Sequence, residues 1–149
     1  MELRDDHLSA LIALVRQHTG IAMNEHKRVL LQGRLRPRLR ALGIDSWGGY
    51  IERLATDRTE VASFINSVTT NDTAFFRTPA VWRWLEREFL PEWIARGETR
   101  PLRIWSAAAA TGEEAYSLAM TCIEARRNFP GLRFEILATD ISTEALATA

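Results

Sequence analysis

Leu102-Arg103-Ile104-Trp105-Ser106-Ala107-Ala108-Ala109-Ala110-Thr111-Gly112-Glu113-Glu114-Ala115 is the stretch that decides the fold of the second half of this chain. A short apolar segment after Pro101, Leu102 to Trp105, reads as a buried strand. Small residues follow, and Thr111-Gly112 opens a helix with Ala115, Leu118, Ala119 and Cys122 inward. Pro130-Gly131 marks a turn, Phe134 to Ala138 reads as a second strand, Asp140 stands at its end, and Ser142 caps a further helix. A strand–helix–strand unit implies parallel strands joined by a right-handed crossover. Two strands do not make a stable doubly wound sheet. The expectation is therefore a chain that ends early, with most of an α/β domain following Ala149 in a parent protein.

Upstream, the pattern is helical. Leu8, Leu11, Ile12 and Val15 share one face, and Gly20 stops that helix. Asn24 is placed to cap a second helix through Leu30, Leu31, Leu35, Leu39 and Leu42, ending near Gly43. Pro37 lies inside it and should kink or split it. Ser46-Trp47 starts a third helix with Tyr50, Ile51 and Leu54, and Val61, Phe64, Ile65 and Val68 mark a fourth. Ala80 to Phe89 reads as another, with Val81, Trp84, Leu85 and Phe89 on one side, interrupted at Pro91 and stopped at Gly97. The fold class is α/β overall: an all-α domain over 1–70, then 71–149 carrying a linker and the first strand–helix–strand of a Rossmann-like domain.

Composition narrows the function classes. The chain has 149 residues, 46% hydrophobic and 26% charged, as ordinary globular proteins do. No apolar run approaches about 18 residues, so no membrane insertion is expected, and the first residues carry no secretory signal. Cys122 is the only cysteine, which excludes a disulfide framework, and three scattered histidines give no metal site. These features favour the cytoplasm. Nineteen basic and nineteen acidic residues balance, so nucleic-acid binding is not indicated. Yet Lys27 to Arg40 holds six basic residues and no acidic one. On a helical wheel Arg34 and Arg38 flank the leucine stripe on one side, and Arg36 and Arg40 on the other. They are either a solvated rim or a docking surface for an acidic partner.

The 106–114 loop lies where doubly wound sheets bind nucleotide-like ligands. Ala107, Glu113 and Glu114 are its candidate contacts. Small side chains let a ligand approach the backbone, but two glutamates at a helix start repel phosphate. A sulfonium nucleoside such as S-adenosylmethionine suits the loop better than NAD or ATP. The competing reading is a capping box, Thr111-x-x-Glu114. Asp140 can take ribose hydroxyls, although its 28-residue distance from Gly112 exceeds the typical ~20; otherwise it caps the next helix. Asn71-Asp72-Thr73-Ala74-Phe75-Phe76-Arg77 sets polar groups around an aromatic pair, as a ligand wall or as a capping loop with buried phenylalanines. Arg77 can clamp a carboxylate through its planar fork.

Thr69 to Arg77, Ile104 to Ser117 and Ala138-Thr139-Asp140-Ile141, in that order, resemble the CheR family of chemoreceptor glutamate O-methyltransferases. The helical front, with His26-Lys27-Arg28 and the arginine-rich second helix, is similar to the family's small N-terminal domain. The likeness implies a methyltransferase that uses S-adenosylmethionine, leaves S-adenosylhomocysteine and methylates receptor glutamates in chemotaxis signalling. It implies that Asn71, Thr73 and Arg77 line the cofactor site, with Arg77 nearest the transferred methyl, beside Glu114 or Glu113, and that Asp140 holds the ribose. Arg34, Arg36, Arg38 and Arg40 would face the receptor's cytoplasmic methylation helices. Pro37 departs from the family's uninterrupted second helix. Later strands of the family's catalytic domain are absent, so the fragment is expected to be inactive and its open sheet edge to favour self-association. The alternative is a non-enzymatic module that senses S-adenosylmethionine or another nucleotide.

Overall fold

A computed structural model describes residues 2–149. Their contacts gather into two units. One runs up to Thr70 and includes Ile141–Thr143; the other comprises Asn71–Asp140 and Glu144–Ala149.

The first unit is helical. α1 (Asp5–Thr19) carries Asp5 and Asp6 in its first turn, where the helix dipole favours negative charge. It ends at Gly20, whose φ of 73° lets its N–H reach the Arg16 carbonyl at 2.9 Å. A 3-10 turn (Glu25–Lys27) precedes α2 (Arg28–Ala41), followed by α3 (Trp47–Thr56) and α4 (Arg58–Val68). Ser46 caps α3 by accepting from the Gly49 N–H, and Asp57 caps α4 by accepting from Thr59 and Glu60. Leu8, Leu11 and Val15 of α1, Leu31, Leu35 and Leu39 of α2, Trp47, Tyr50 and Leu54 of α3, and Phe64 and Val68 of α4 form one core.

For α2, the expected cap does not form and the expected split does not occur. Asn24 makes no side-chain cap; it precedes the 3-10 turn, and its carbonyl accepts from the Lys27 N–H. Pro37 does not split the helix. Leu35 and Leu39 are buried on either side of it, and Arg34 and Arg38 are hydrogen-bonded to α4 and its end, so tertiary contacts hold the helical turns that flank it.

Those anchors also narrow the docking expectation. Glu60 of α4 is 3% exposed. Its carboxylate accepts from Arg38 Nε at 3.0 Å, Arg38 Nη2 at 2.5 Å and the Tyr50 hydroxyl at 2.8 Å. Burial first, then the bond to Glu60, pushes the Tyr50 phenol above its ordinary range. Arg34 Nη1 donates to the Val68 and Thr69 carbonyls at 3.0 and 2.7 Å, and Nη2 to Thr70 Oγ1 at 3.2 Å. It thereby satisfies orphan carbonyls at the end of α4. Arg36 and Arg40 lie on the exposed side of α2.

In the second unit, α5 (Pro79–Trp84), a π turn (Leu85–Phe89) and α6 (Leu90–Ala95) run continuously. The Leu90 N–H donates to the Leu85 carbonyl five residues back. Trp82, Leu85 and Leu90 are buried, while Val81 and Trp84 are half exposed. The inward face thus differs from the expected one, and Pro91 sits within the first turn of α6 rather than interrupting it. β1 (Leu102–Ala107) pairs in parallel with β2 (Phe134–Thr139), Leu102 opposite Phe134 through Ala107 opposite Thr139. α7 (Glu113–Asn128) joins them, and α8 (Thr143–Leu146) follows. Leu102 and Ile104 pack with Cys122, Leu118 and Leu132. β1 is not a fully buried strand: Trp105 is 67% exposed and Leu137 of β2 is 60% exposed, because helix packing covers only one face of this pair. On α7 the fully buried positions are Ser117, Thr121 and Cys122; Ala115, Leu118 and Ala119 are partly covered.

Candidate functional site

The carboxyl ends of β1 and β2 bring the loop residues together. Ala107 closes β1 opposite Thr139, one residue before Asp140. The Ala109 N–H donates to the Thr139 carbonyl at 3.0 Å, and the Ala110 N–H to Asp140 Oδ2 at 2.8 Å. Asp140 therefore organises the loop as well as facing it. Ala110 takes a left-handed φ of 48°, a conformation that costs an alanine energy and that the Asp140 bond holds.

Gly112 caps α7 with φ 99°, a conformation for which glycine is suited. A Cβ there would stand 3.2 Å from the Tyr116 ring. The capping box does not form. Glu114 accepts from the buried Ser106 hydroxyl at 2.7 Å, and Glu113 accepts from Thr111 Oγ1 at 2.7 Å.

The 71–77 segment reaches the same helix turn. Ser117, fully buried, accepts from the Phe76 N–H at 3.0 Å and donates to the Glu113 carbonyl at 2.6 Å. Phe76 and Thr78 both take positive φ, 53° and 60°, with Arg77 between them. Trp82 Nε1 donates to the Arg77 carbonyl at 2.6 Å, and the Phe76 ring meets Trp82 edge-on at 5.5 Å. The Arg77 side chain folds back, donating to the Asp72 carbonyl at 2.6 Å and lying 3.3 Å from its carboxylate. Phe75 and Phe76 are largely exposed, which corrects the buried-phenylalanine alternative. Asn71 and Thr73 are partly covered.

Five of the seven expected contacts, Arg77, Ala107, Glu113, Glu114 and Asp140, thus belong to one connected stretch of backbone and hydrogen bonds in the second unit, and Asn71 and Thr73 lie on the segment that leads into it. The four arginines of α2 belong to the first. Sequence reasoning passed over Ser106, Ser117 and Trp82. The available signal was polar residues at inward positions, since Ser117 shares the buried stripe with Thr121 and Cys122.

Glu113, Glu114 and Asp140 set carboxylates around small residues at a helix start, an environment that favours a cation and disfavours phosphate. An ammonium–sulfonium nucleoside fits that chemistry. Among the described residues there is no cluster of metal-ligating side chains and no helix long and apolar enough to cross a membrane. A half-open cleft of about 390 Å³ lined by Trp93, Arg100 and Phe129 lies at the opposite ends of the strands, away from the carboxyl ends where such sheets bind ligands.

Residues 6–69 match the family model described as CheR methyltransferase, all-alpha domain, and residues 71–149 match CheR methyltransferase, SAM binding domain. The chain is 41% identical over 151 aligned positions to the chemotaxis protein methyltransferase of Salmonella typhimurium and 40% identical to that of Escherichia coli, covering all of this chain and 50% of each relative. It is 44% identical over 137 positions to chemotaxis protein methyltransferase 2 of Pseudomonas aeruginosa, covering 88% of this chain and 45% of that protein. The chain spans about half the length of these relatives.

Proposed function

The chain belongs to the CheR methyltransferase family, and on that premise we propose that the whole protein methylates glutamate side chains of chemotaxis receptors in the cytoplasm, consuming S-adenosylmethionine and leaving S-adenosylhomocysteine. The observation that carries this reading is that Asp140, just after β2, holds the β1–α7 loop that leads into the Glu113–Glu114 helix start, with Ser117 tying the Arg77 turn to that same helix turn.

Ala107 and the alanines after it allow close approach; Glu114 and Glu113 attract the ammonium and sulfonium charges; Asp140 accepts from ribose hydroxyls; Asn71 and Thr73 offer polar groups to the same ligand. When bound, S-adenosylmethionine supplies an electrophilic methyl. The acceptor glutamate is already ionised at pH 7, so no residue of this chain has to remove a proton. Arg77 orients that carboxylate by its planar fork, exchanging Asp72 for the substrate as partner. A dry, aligned site favours a reaction in which opposite charges merge. Receptor helices, if acidic, meet the exposed Arg36 and Arg40 side of α2.

With one sheet face uncovered, the 149 residues alone are proposed to lack turnover. Radiolabelled methyl transfer to receptor membranes, comparing this chain with a full-length protein that contains it, tests both statements. Base-labile label on receptor glutamates from the longer protein alone is the expected result. A longer protein that binds S-adenosylmethionine but transfers no methyl to any receptor refutes the enzymatic reading and supports a sensing module.

A further inference from the structure

Ser117 belongs to none of the motifs' expected ligand contacts, yet its surroundings are unusual for a mid-helix serine. It is fully buried, and its one hydroxyl is used twice. It donates back to the Glu113 carbonyl at 2.6 Å and accepts from the Phe76 N–H at 3.0 Å, 41 residues away in sequence. Phe76 takes φ 53° and Thr78 φ 60°, and a left-handed β-branched residue is a genuine outlier. A turn with two such residues persists only where its surroundings hold it. The holds here are Ser117 Oγ on Phe76 and Trp82 Nε1 on the Arg77 carbonyl, one on each side of the Arg77 side chain.

We propose that Ser117 is a positioning residue. Its hydroxyl clamps the Phe76–Thr78 turn to the first turn of α7 and so fixes the backbone that carries Arg77 beside the helix start that carries Glu113 and Glu114. The inference rests on the cofactor reading given above for the function of Arg77 and the two glutamates; the clamp itself rests on geometry alone.

The serine can be changed without weakening the helix. Alanine has the higher helix propensity, so Ser117→Ala removes the clamp while leaving α7 intact. Ser117→Thr keeps the hydroxyl and serves as the rescue. Two readouts on a full-length protein that contains this chain separate the clamp from the ligand. The first is the rate of tryptic cleavage at the Arg77–Thr78 bond, followed by mass spectrometry. The second is the affinity for S-adenosylhomocysteine by titration calorimetry. Losing one ordinary hydrogen bond corresponds to about five- to tenfold in local opening. Ser117→Ala is expected to be cleaved at Arg77 about that much faster, with an unchanged helix content and a melting temperature lowered by no more than about 4–8 °C, and to bind the nucleoside correspondingly less tightly. Ser117→Thr is expected to restore both. Cleavage of Ser117→Ala at the wild-type rate overturns the clamp. Faster cleavage with undiminished nucleoside affinity overturns the positioning role. A full-length wild-type protein that fails to bind the nucleoside refutes the cofactor reading and the role toward that ligand, while the cleavage rates still decide the clamp.

Discussion

Glu60→Gln is the sharpest test of how the helical unit is held together. Glu60 is 3% exposed and accepts three hydrogen bonds, two from Arg38 and one from Tyr50. Glutamine keeps the shape but removes the charge, and its amide NH2 replaces one of two accepting oxygens beside Arg38, which can only donate. Breaking a buried ion pair from one side costs about 3–5 kcal/mol, because the remaining charge stays buried without compensation. The Arg38 side chain is 32% exposed, so its guanidinium regains some water and the lower end, about 3 kcal/mol, applies. In a unit of this size each 1 kcal/mol moves the melting temperature by about 4–8 °C. The helical unit should therefore melt roughly 12–24 °C lower.

Thermal and urea unfolding by far-ultraviolet circular dichroism measure this. A paired change, Arg38→Met with Glu60→Leu, removes both charges and should recover most of the loss, since an apolar pair in such a place is often neutral. A Glu60→Gln loss under about 1 kcal/mol, or a paired variant no better than the single one, refutes the reasoning.

Arg34→Ala should lower stability by about 1–3 kcal/mol through the orphaned carbonyls of α4, whereas Arg36→Ala with Arg40→Ala should leave melting unchanged and weaken binding to receptor helices in a salt-dependent way; equal melting losses in the two variants would contradict the division between them. Burial pushes the Cys122 thiol up from 9.0 to about 11, so the folded chain holds that proton longer than the unfolded one. Its contribution to stability is complete below pH 9 and is lost as pH rises toward about 11, which urea midpoints across that range measure; Cys122→Ala should flatten the dependence. Gly112→Ala forces φ 99° on a side chain and brings its Cβ to 3.2 Å from Tyr116. It should cost about 1–3 kcal/mol, seen as a lower urea midpoint of the second unit.

The helices of the first unit were legible because their periodic leucines bury regardless of what lies opposite. Leu8, Leu11 and Val15, and Leu31, Leu35 and Leu39, behave as their spacing requires. The arginines were legible only as positions on a wheel. Whether Arg38 faces a partner or an internal acid depends on Glu60, which lies 22 residues on in another helix, and no local pattern joins them. Trp105 shows the same limit for the sheet: apolar sequence marks a strand, but exposure depends on what covers each face. The loop glutamates and Asp140 could be singled out as candidates because strand ends in such sheets have a chemistry of their own, and the structure joins Asp140 to that loop through the Ala110 N–H. Ser117 was missed because its partner is a backbone N–H 41 residues away, and a backbone donor leaves no mark on composition.

Asp140 joins the site's strain to its proposed chemistry, and two substitutions separate them. Its Oδ2 accepts from the N–H of Ala110, a left-handed alanine. Strained residues of this kind cost about 1–3 kcal/mol each and cluster where a backbone must be held for a ligand. Asp140→Asn keeps an acceptor for Ala110 but loses the charge. Asp140→Ala loses both, freeing the Ala110 loop to relax toward right-handed backbone. If Asp140 also takes the ribose hydroxyls, asparagine should retain the loop and weaken S-adenosylhomocysteine binding by the strength of one charge-assisted bond, about tenfold. Alanine should weaken it further, because the loop that admits the ligand has moved. Amide exchange at Ala110 gives the loop state independently: slow in the wild type and Asp140→Asn, fast in Asp140→Ala. Equal affinity in wild type and Asp140→Asn would remove Asp140 from the ligand and leave it the smaller task of holding Ala110. Slow exchange in Asp140→Ala would show the loop to be held by the Ala109–Thr139 bond instead, and the link between strain and ligand would fail.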